Sequence, residues 1–130
     1  MNPGSSIIVT GCYAQLKPEE LAAVKEVDMI FGAKEKFNLL DHLDSIELNH
    51  KTKLFHSEIN RVSHFEPSFS SNDRTRSYLK VQDGCDYNCT FCTIPLARGA
   101  SRSSTVSKTL MSAKQAISSG AREVVLTGVN

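Results

Sequence analysis

The sequence has no apolar run approaching the roughly 18 residues that a membrane-spanning helix requires, and its first residues lack the basic, apolar and small-residue succession of a secretory signal. The default expectation is therefore the cytoplasm. It has no surplus of charge: fifteen Lys and Arg against fourteen Asp and Glu leave a formal net charge of +1. The chain as a whole does not read as a nucleic-acid binder, and any RNA contact has to be local. No internal repeat or low-complexity tract is present. The histidines, His42, His50, His56 and His64, are scattered without metal-ligand spacing and read as surface or loop residues. Cysteines number only four. In an intracellular chain they favour metal binding or redox chemistry over structural disulfides, because reducing conditions keep thiols free.

What is present suits a globular protein. Hydrophobic residues make up 40% and charged residues 22% of 130 residues, enough for about one domain, or a small domain plus a piece of another. The apolar run Ile7-Ile8-Val9-Thr10 near the start and Val124-Val125-Leu126 near the end both look like buried strands. Their position beside the termini suggests a segment of a longer protein.

In chain order, residues 7–10 read as a strand and 11–15 as the turn after it. Pro18 suits the first turn of a helix, and Glu19 and Glu20 favour the positive end of its dipole. Leu21, Val24 and Val27 would face inward. Residues 27–32 form a second strand candidate. A helix over 33–43 follows, with Phe37, Leu40 and Leu43 on one face. This β-α-β-α order predicts a parallel sheet with covering helices. Residues 44–75 read as an irregular connector with a short strand at 53–56. The expected division is 1–67, a linker over 68–77, and a second unit from 78 to 130.

In that second unit, residues 77–82 alternate apolar and polar side chains as a strand does. Val106, Leu110, Ala113 and Ile117 then mark an amphipathic helix over 105–119, with Ser103 or Ser104 as its N-cap and Gly120 ending it in the left-handed conformation. Residues 123–126 complete a β-α-β unit.

Between that strand and that helix lies Gly84-Cys85-Asp86-Tyr87-Asn88-Cys89-Thr90-Phe91-Cys92-Thr93-Ile94-Pro95, which holds three of the cysteines at C-x3-C-x2-C spacing. Three thiolates can hold three irons of a cubic iron-sulfur cluster and leave the fourth open. The same thiols could instead close a zinc site with Cys12 or a histidine, or stand free in a surface loop. Ligand sites of parallel α/β folds gather at the carboxyl ends of strands. Both this loop and Thr127-Gly128-Val129-Asn130 follow such an end, so the two should be neighbours. Cys12 alone reads as a buried, inert thiol.

At these residues the chain resembles the radical S-adenosylmethionine enzymes, and more narrowly the tRNA methylthiotransferases. The resemblance is carried by Leu79-Lys80-Val81-Gln82-Asp83-Gly84-Cys85-Asp86 through Cys92, by Ile94-Pro95 and Ala97-Arg98-Gly99, and by Thr10-Gly11-Cys12-Tyr13-Ala14-Gln15 and Gly32-Ala33-Lys34-Glu35-Lys36. Among the branches it is most similar to the MtaB type, acting on N6-threonylcarbamoyladenosine beside the anticodon. The MiaB type, acting on isopentenyladenosine, is next.

The resemblance implies the C-terminal part of a small parallel α/β domain followed by the first β-α-β unit of a radical S-adenosylmethionine partial (β/α) barrel. It implies that Cys85, Cys89 and Cys92 ligate a 4Fe-4S cluster, whose electron splits S-adenosylmethionine to a deoxyadenosyl radical. Phe91 is then expected near the adenine, Thr127, Gly128, Val129 and Asn130 at the methionine amino group, and Cys12 on an auxiliary 4Fe-4S cluster. Implied partners are tRNA and an electron donor such as flavodoxin or ferredoxin, with no membrane. The basic residues Arg74, Arg76, Lys80, Arg98 and Arg102 could meet RNA phosphates, although each alone reads as a solvated charge.

The chain also departs from that pattern. Cys12 lacks the two upstream cysteines of its cluster, and the remaining barrel strands and the RNA-binding domain are absent. Ala100-Ser101 stands where another basic residue is usual. The chain as given is expected not to be a complete enzyme.

Overall fold

Three short apolar segments, 21 and 24 residues apart, build the first sheet. The structure, a computed structural model, describes residues 5–45, 51–70 and 75–129, with the side chains of 44 and 45 excepted. It divides into two compact units, one running to Val62 and including Leu96–Arg98, the other comprising Ser63–Pro95 and the residues from Gly99 onward.

In the first unit, strand β1 (Ile8–Thr10) leads into helix α1 (Cys12–Leu16), and helix α2 (Pro18–Ala22) leads into strand β2 (Met29–Phe31). Strand β3 (Lys53–Phe55) completes a parallel sheet of order β1-β2-β3, in which Ile30 pairs with Val9 on one side and Leu54 on the other. Met29, Ile30 and Phe31 are all buried, as a central parallel strand covered on both faces requires. Ala14, Val27 and Ile30 form the core, with Ile7, Val9, Leu21 and Ala22 packed against it.

Residues 12–15 are helical rather than a turn: the Gln15 amide reaches the carbonyl of Gly11, the N-cap (3.1 Å), and Ala14 and Gln15 are buried. Pro18 and the acidic pair Glu19 and Glu20 open α2 as expected. Leu21 and Val27 contribute to the core, whereas Val24 is exposed. The Glu20 carboxylate accepts from Lys17 Nζ (2.8 Å) and Tyr13 OH (2.6 Å). Lys17 first, then Tyr13, hold that carboxyl below its ordinary range.

The expected helix over 33–43 is instead a 3-10 segment, Glu35–Ser45, interrupted at Asn38. Side chains three apart eclipse one another in such a winding. The spacing of Phe37, Leu40 and Leu43 therefore does place them in one row, but that row is exposed. The inward contact comes from His42, whose ring lies 4.2 Å from that of Phe55, which itself stacks on Phe31 at 4.8 Å. His42 is thus a packing residue rather than a loose surface one. His56 and His64 lie in loops, and His50 falls outside the described residues.

The second unit opens with strand β4 (Ser68–Phe69), inside the stretch expected to be irregular. Strand β5 (Arg76–Lys80) follows in the stretch expected to be a strand; its burial alternates, but it covers the polar Ser77 along with Leu79 and exposes Tyr78. Next come strand β6 (Gln82–Asp83), helix α3 (Ile94–Arg98), strand β7 (Arg102–Ser103), helix α4 (Val106–Ser118) and strand β8 (Glu123–Thr127). β4 pairs antiparallel with β5, and β5 pairs parallel with β8, so β5, α4 and β8 form the expected β-α-β unit.

The N-cap of α4 is Thr105, one residue beyond the expected serines, and its side chain accepts from the Lys108 amide. Gly120 ends the helix at φ +99°, where the Ala121 amide bonds back to the Ala116 carbonyl (3.1 Å). The buried side of α4 is Ser112 and Ala116, whereas Val106, Leu110 and Ile117 are exposed. Small residues let the helix lie close to the sheet, and the apolar stripe points the other way.

The Ile30→Ala exchange should cost about 2–5 kcal/mol by cavity formation. Leu40→Ala should stay within about 0.5 kcal/mol. Denaturant unfolding followed by circular dichroism measures both, and equal losses would contradict this placement of the core.

Candidate functional site

The parallel pairing of β5 with β8 sets two strand ends side by side. Lys80 is in register with Thr127, and one residue on, the Val81 amide donates to the Thr127 carbonyl (2.9 Å). From there the first chain enters β6, whose Gln82 and Asp83 pair with Ser103 and Arg102 of β7. This two-rung ladder closes the base of the loop carrying the cysteines.

Gly84 follows directly, at φ +76°. A Cβ there would lie 2.1 Å from the Ala100 carbonyl oxygen and 2.7 Å from that of Gly99. Only glycine permits the two limbs of the loop to approach so closely. The Cys85 amide then donates to the Gly99 carbonyl (3.1 Å), and Asp86 Oδ1 accepts from the Ser101 amide (2.8 Å). The loop is thus pinned on both limbs next to its first cysteine.

None of the three loop cysteines is in a disulfide: Cys85 is buried, Cys92 half-buried and Cys89 exposed. The Cys92 amide donates to the Cys89 carbonyl (3.1 Å), which folds the second and third cysteines into one turn. Three thiols on one braced loop are a soft donor set, suited to thiophilic metals. Among the described residues, no group of three or more His, Cys, Asp or Glu side chains already converges on a point as a metal site would. Phe91 is 96% exposed at the tip of this turn.

Thr127 ends β8. Gly128 lies against the Gln82 side chain, and the Val129 amide donates to Gln82 Oε1 (2.5 Å). The cysteine loop and residues 127–129 therefore do meet through Gln82, as the chain order predicted of neighbouring strand ends. Asn130 falls outside the described residues. Cys12, in the other unit, is exposed in the first turn of α1, not the buried thiol its position after a strand suggested.

Several basic residues are engaged within the unit. Asp83 Oδ2 lies 3.6 Å from both Lys80 Nζ and Arg102 Nη2, and all three side chains are largely covered. Arg102 also donates to the carbonyls of His64 and Ala100 (3.0 Å each). Arg76 pairs with Glu123 at 2.8 Å, which raises its pKa further. Arg98 is the last residue of α3, and Arg74 lies outside the described residues. Arg102 and Lys108 also line a cavity of about 160 Å³ at the start of α4, with His64, Phe65 and the buried, unpartnered Ser104 hydroxyl.

Sequence reasoning missed Gln82 and Asp83 as parts of the site. Their alternation fits an ordinary strand, and no spacing rule distinguishes a bridging glutamine from a solvated one. The close approach at Gly84 gives a direct check. Gly120→Ala meets nothing within 4 Å, so only its backbone conformation should cost, about 1 kcal/mol. Gly84→Ala should cost clearly more by thermal unfolding; equal losses would contradict the packed base of the loop.

Known proteins place the chain further. It is 44% identical over 130 residues to the threonylcarbamoyladenosine tRNA methylthiotransferase MtaB of Thermotoga maritima, covering 99% of this chain and 29% of that protein. The same enzyme of Aquifex aeolicus is 42% identical over 98% of the chain and 32% of its own length. The tRNA-2-methylthio-N(6)-dimethylallyladenosine synthase of Rickettsia rickettsii is 33% identical over 95% of the chain and 28% of its length. The chain thus spans about three-tenths of the relatives it matches. No family model matches it.

Proposed function

Because the chain belongs in sequence to the radical S-adenosylmethionine methylthiotransferase family, we propose that it is the part of such an enzyme where the radical-generating cofactors bind. The observation that carries this reading is the braced loop of three thiols, none in a disulfide, beside the β8 end, in a chain 44% identical to its Thermotoga relative. The reaction is the addition of a methylthio group to carbon 2 of a modified adenosine next to the tRNA anticodon. N6-threonylcarbamoyladenosine is the favoured substrate, since the relatives named for it are 38–44% identical and those named for dimethylallyladenosine are 33% identical.

Cys85, Cys89 and Cys92 are the proposed ligands of a 4Fe-4S cluster. When bound, such a cluster supplies the electron that cleaves the sulfonium of S-adenosylmethionine. The chain's own contribution is binding and orientation. Gly84, Gly99 and Ala100 fix the first limb of the cysteine loop, and the Cys89–Cys92 turn sets the other two thiols. Phe91 offers an exposed ring to the adenine. Residues 127–129 would offer backbone groups to the methionine end of the cofactor.

Cys12, exposed in α1, is this chain's proposed contribution to an auxiliary 4Fe-4S cluster. The electron donor would be a flavodoxin or ferredoxin. Among the described residues no helix is long and apolar enough to cross a membrane.

The test is anaerobic reconstitution, with iron and sulfide, of a chain of the relatives' full length carrying these residues. Cys85→Ala, Cys89→Ala and Cys92→Ala should each lose about four irons per chain. They should also abolish the methylthio product in digested tRNA, read by nucleoside mass spectrometry. Full iron retention in all three variants, or one zinc per colourless chain, would refute the assignment.

A further inference from the structure

The Gln82 side chain makes three hydrogen bonds that lead in two directions. Its Nε2 donates to the Gly84 carbonyl (2.6 Å) and to Ser101 Oγ (3.0 Å), on the two limbs of the cysteine loop. Its Oε1 accepts from the Val129 amide (2.5 Å), on the loop after β8. Gly128 lies close enough that a Cβ on it would meet Gln82 Oε1 at 3.0 Å and Gln82 Cβ at 3.2 Å.

An amide is the side chain that can do this. It presents a donor and an acceptor on one rigid plane, whereas a carboxylate offers only acceptors and an ammonium only donors. A glutamate here would keep the Val129 contact and face the Gly84 carbonyl with a second oxygen.

We propose that Gln82 is a positioning residue, a strut that fixes the separation between the cysteine loop and residues 127–129. It touches neither thiol nor cofactor in this role. Resting on the reading given above, the strut sets how far the thiols stand from the groups that hold the far end of S-adenosylmethionine. Affinity for that cofactor should then depend on Gln82, while retention of the metal should not, because the loop keeps its own bonds at Cys85, Asp86 and Gly99.

The test compares Gln82→Met, which keeps the packing against Gly128 and loses all three bonds, with Gln82→Glu, which keeps the Val129 bond, can accept from the Ser101 hydroxyl and loses the bond to the Gly84 carbonyl. Both are made in a chain of the relatives' full length. Amide hydrogen exchange, before any cluster is added, should quicken several-fold in residues 84–92 and at Val129 in Gln82→Met, and in residues 84–92 alone in Gln82→Glu. After reconstitution, both variants should hold as much iron as the unmodified protein and bind S-adenosylmethionine about tenfold more weakly by calorimetry.

Exchange unchanged in both loops, or unchanged cofactor affinity, would overturn the strut, and so would loss of iron in Gln82→Met. If the unmodified protein bound no S-adenosylmethionine, the functional reading would fail. The exchange data would still decide whether Gln82 couples the two loops.

Discussion

The arrangement of the second unit depends on the parallel pairing of β5 with β8. Two strands separated by the cysteine loop and all of α4 end at the same edge because Lys80 stands opposite Thr127. Parallel strands need a crossover connection of a dozen or more residues. Here that obligatory connection contains the thiol loop, so the loop and the β8 end are adjacent by construction. The short β6–β7 ladder and the Gly84 close approach then hold the base of the loop, and the Asp83 carboxylate gathers Lys80 and Arg102 beneath it.

That arrangement explains why basic residues near the loop are poor evidence for an RNA surface. Arg76 is spent on Glu123, and Lys80 and Arg102 on Asp83. Lys80 also lies over the Phe65 ring at 5.1 Å. Their common effect is to tie strands together. A cation that is already paired and covered has less to offer a phosphate than an exposed one.

Strands β1, β2, β3, β5 and β8 were legible in the sequence because their signal is local, whereas the two-residue strands β4, β6 and β7 carry too little pattern to be read. Alternation marked β5, apolar runs marked β2 and β8, and Gly120 marked the end of α4. The thiol loop and its place at a strand end were legible for the same reason. What escaped was the direction of apolar stripes. Val106, Leu110 and Ile117 recur at helical spacing, yet α4 buries Ser112 and Ala116 instead. Periodicity says that a stripe exists and not which neighbour covers it. In the same way, spacings of three at Phe37, Leu40 and Leu43 fit a 3-10 winding better than the α-helix they suggested, and burial fell to His42. Gln82 was illegible because its importance lies in partners two, 19 and 47 residues away.

The central claim is that one loop of three thiols and the neighbouring β8 end act together on a cluster and its cofactor. Low-temperature electron paramagnetic resonance of the reduced, reconstituted full-length chain tests it most directly, recorded with and without S-adenosylmethionine. The account predicts a 4Fe-4S signal that changes when S-adenosylmethionine is added and that is lost in Cys85→Ala. The absence of any signal that responds to S-adenosylmethionine, or a responsive signal that survives without Cys85, would contradict it.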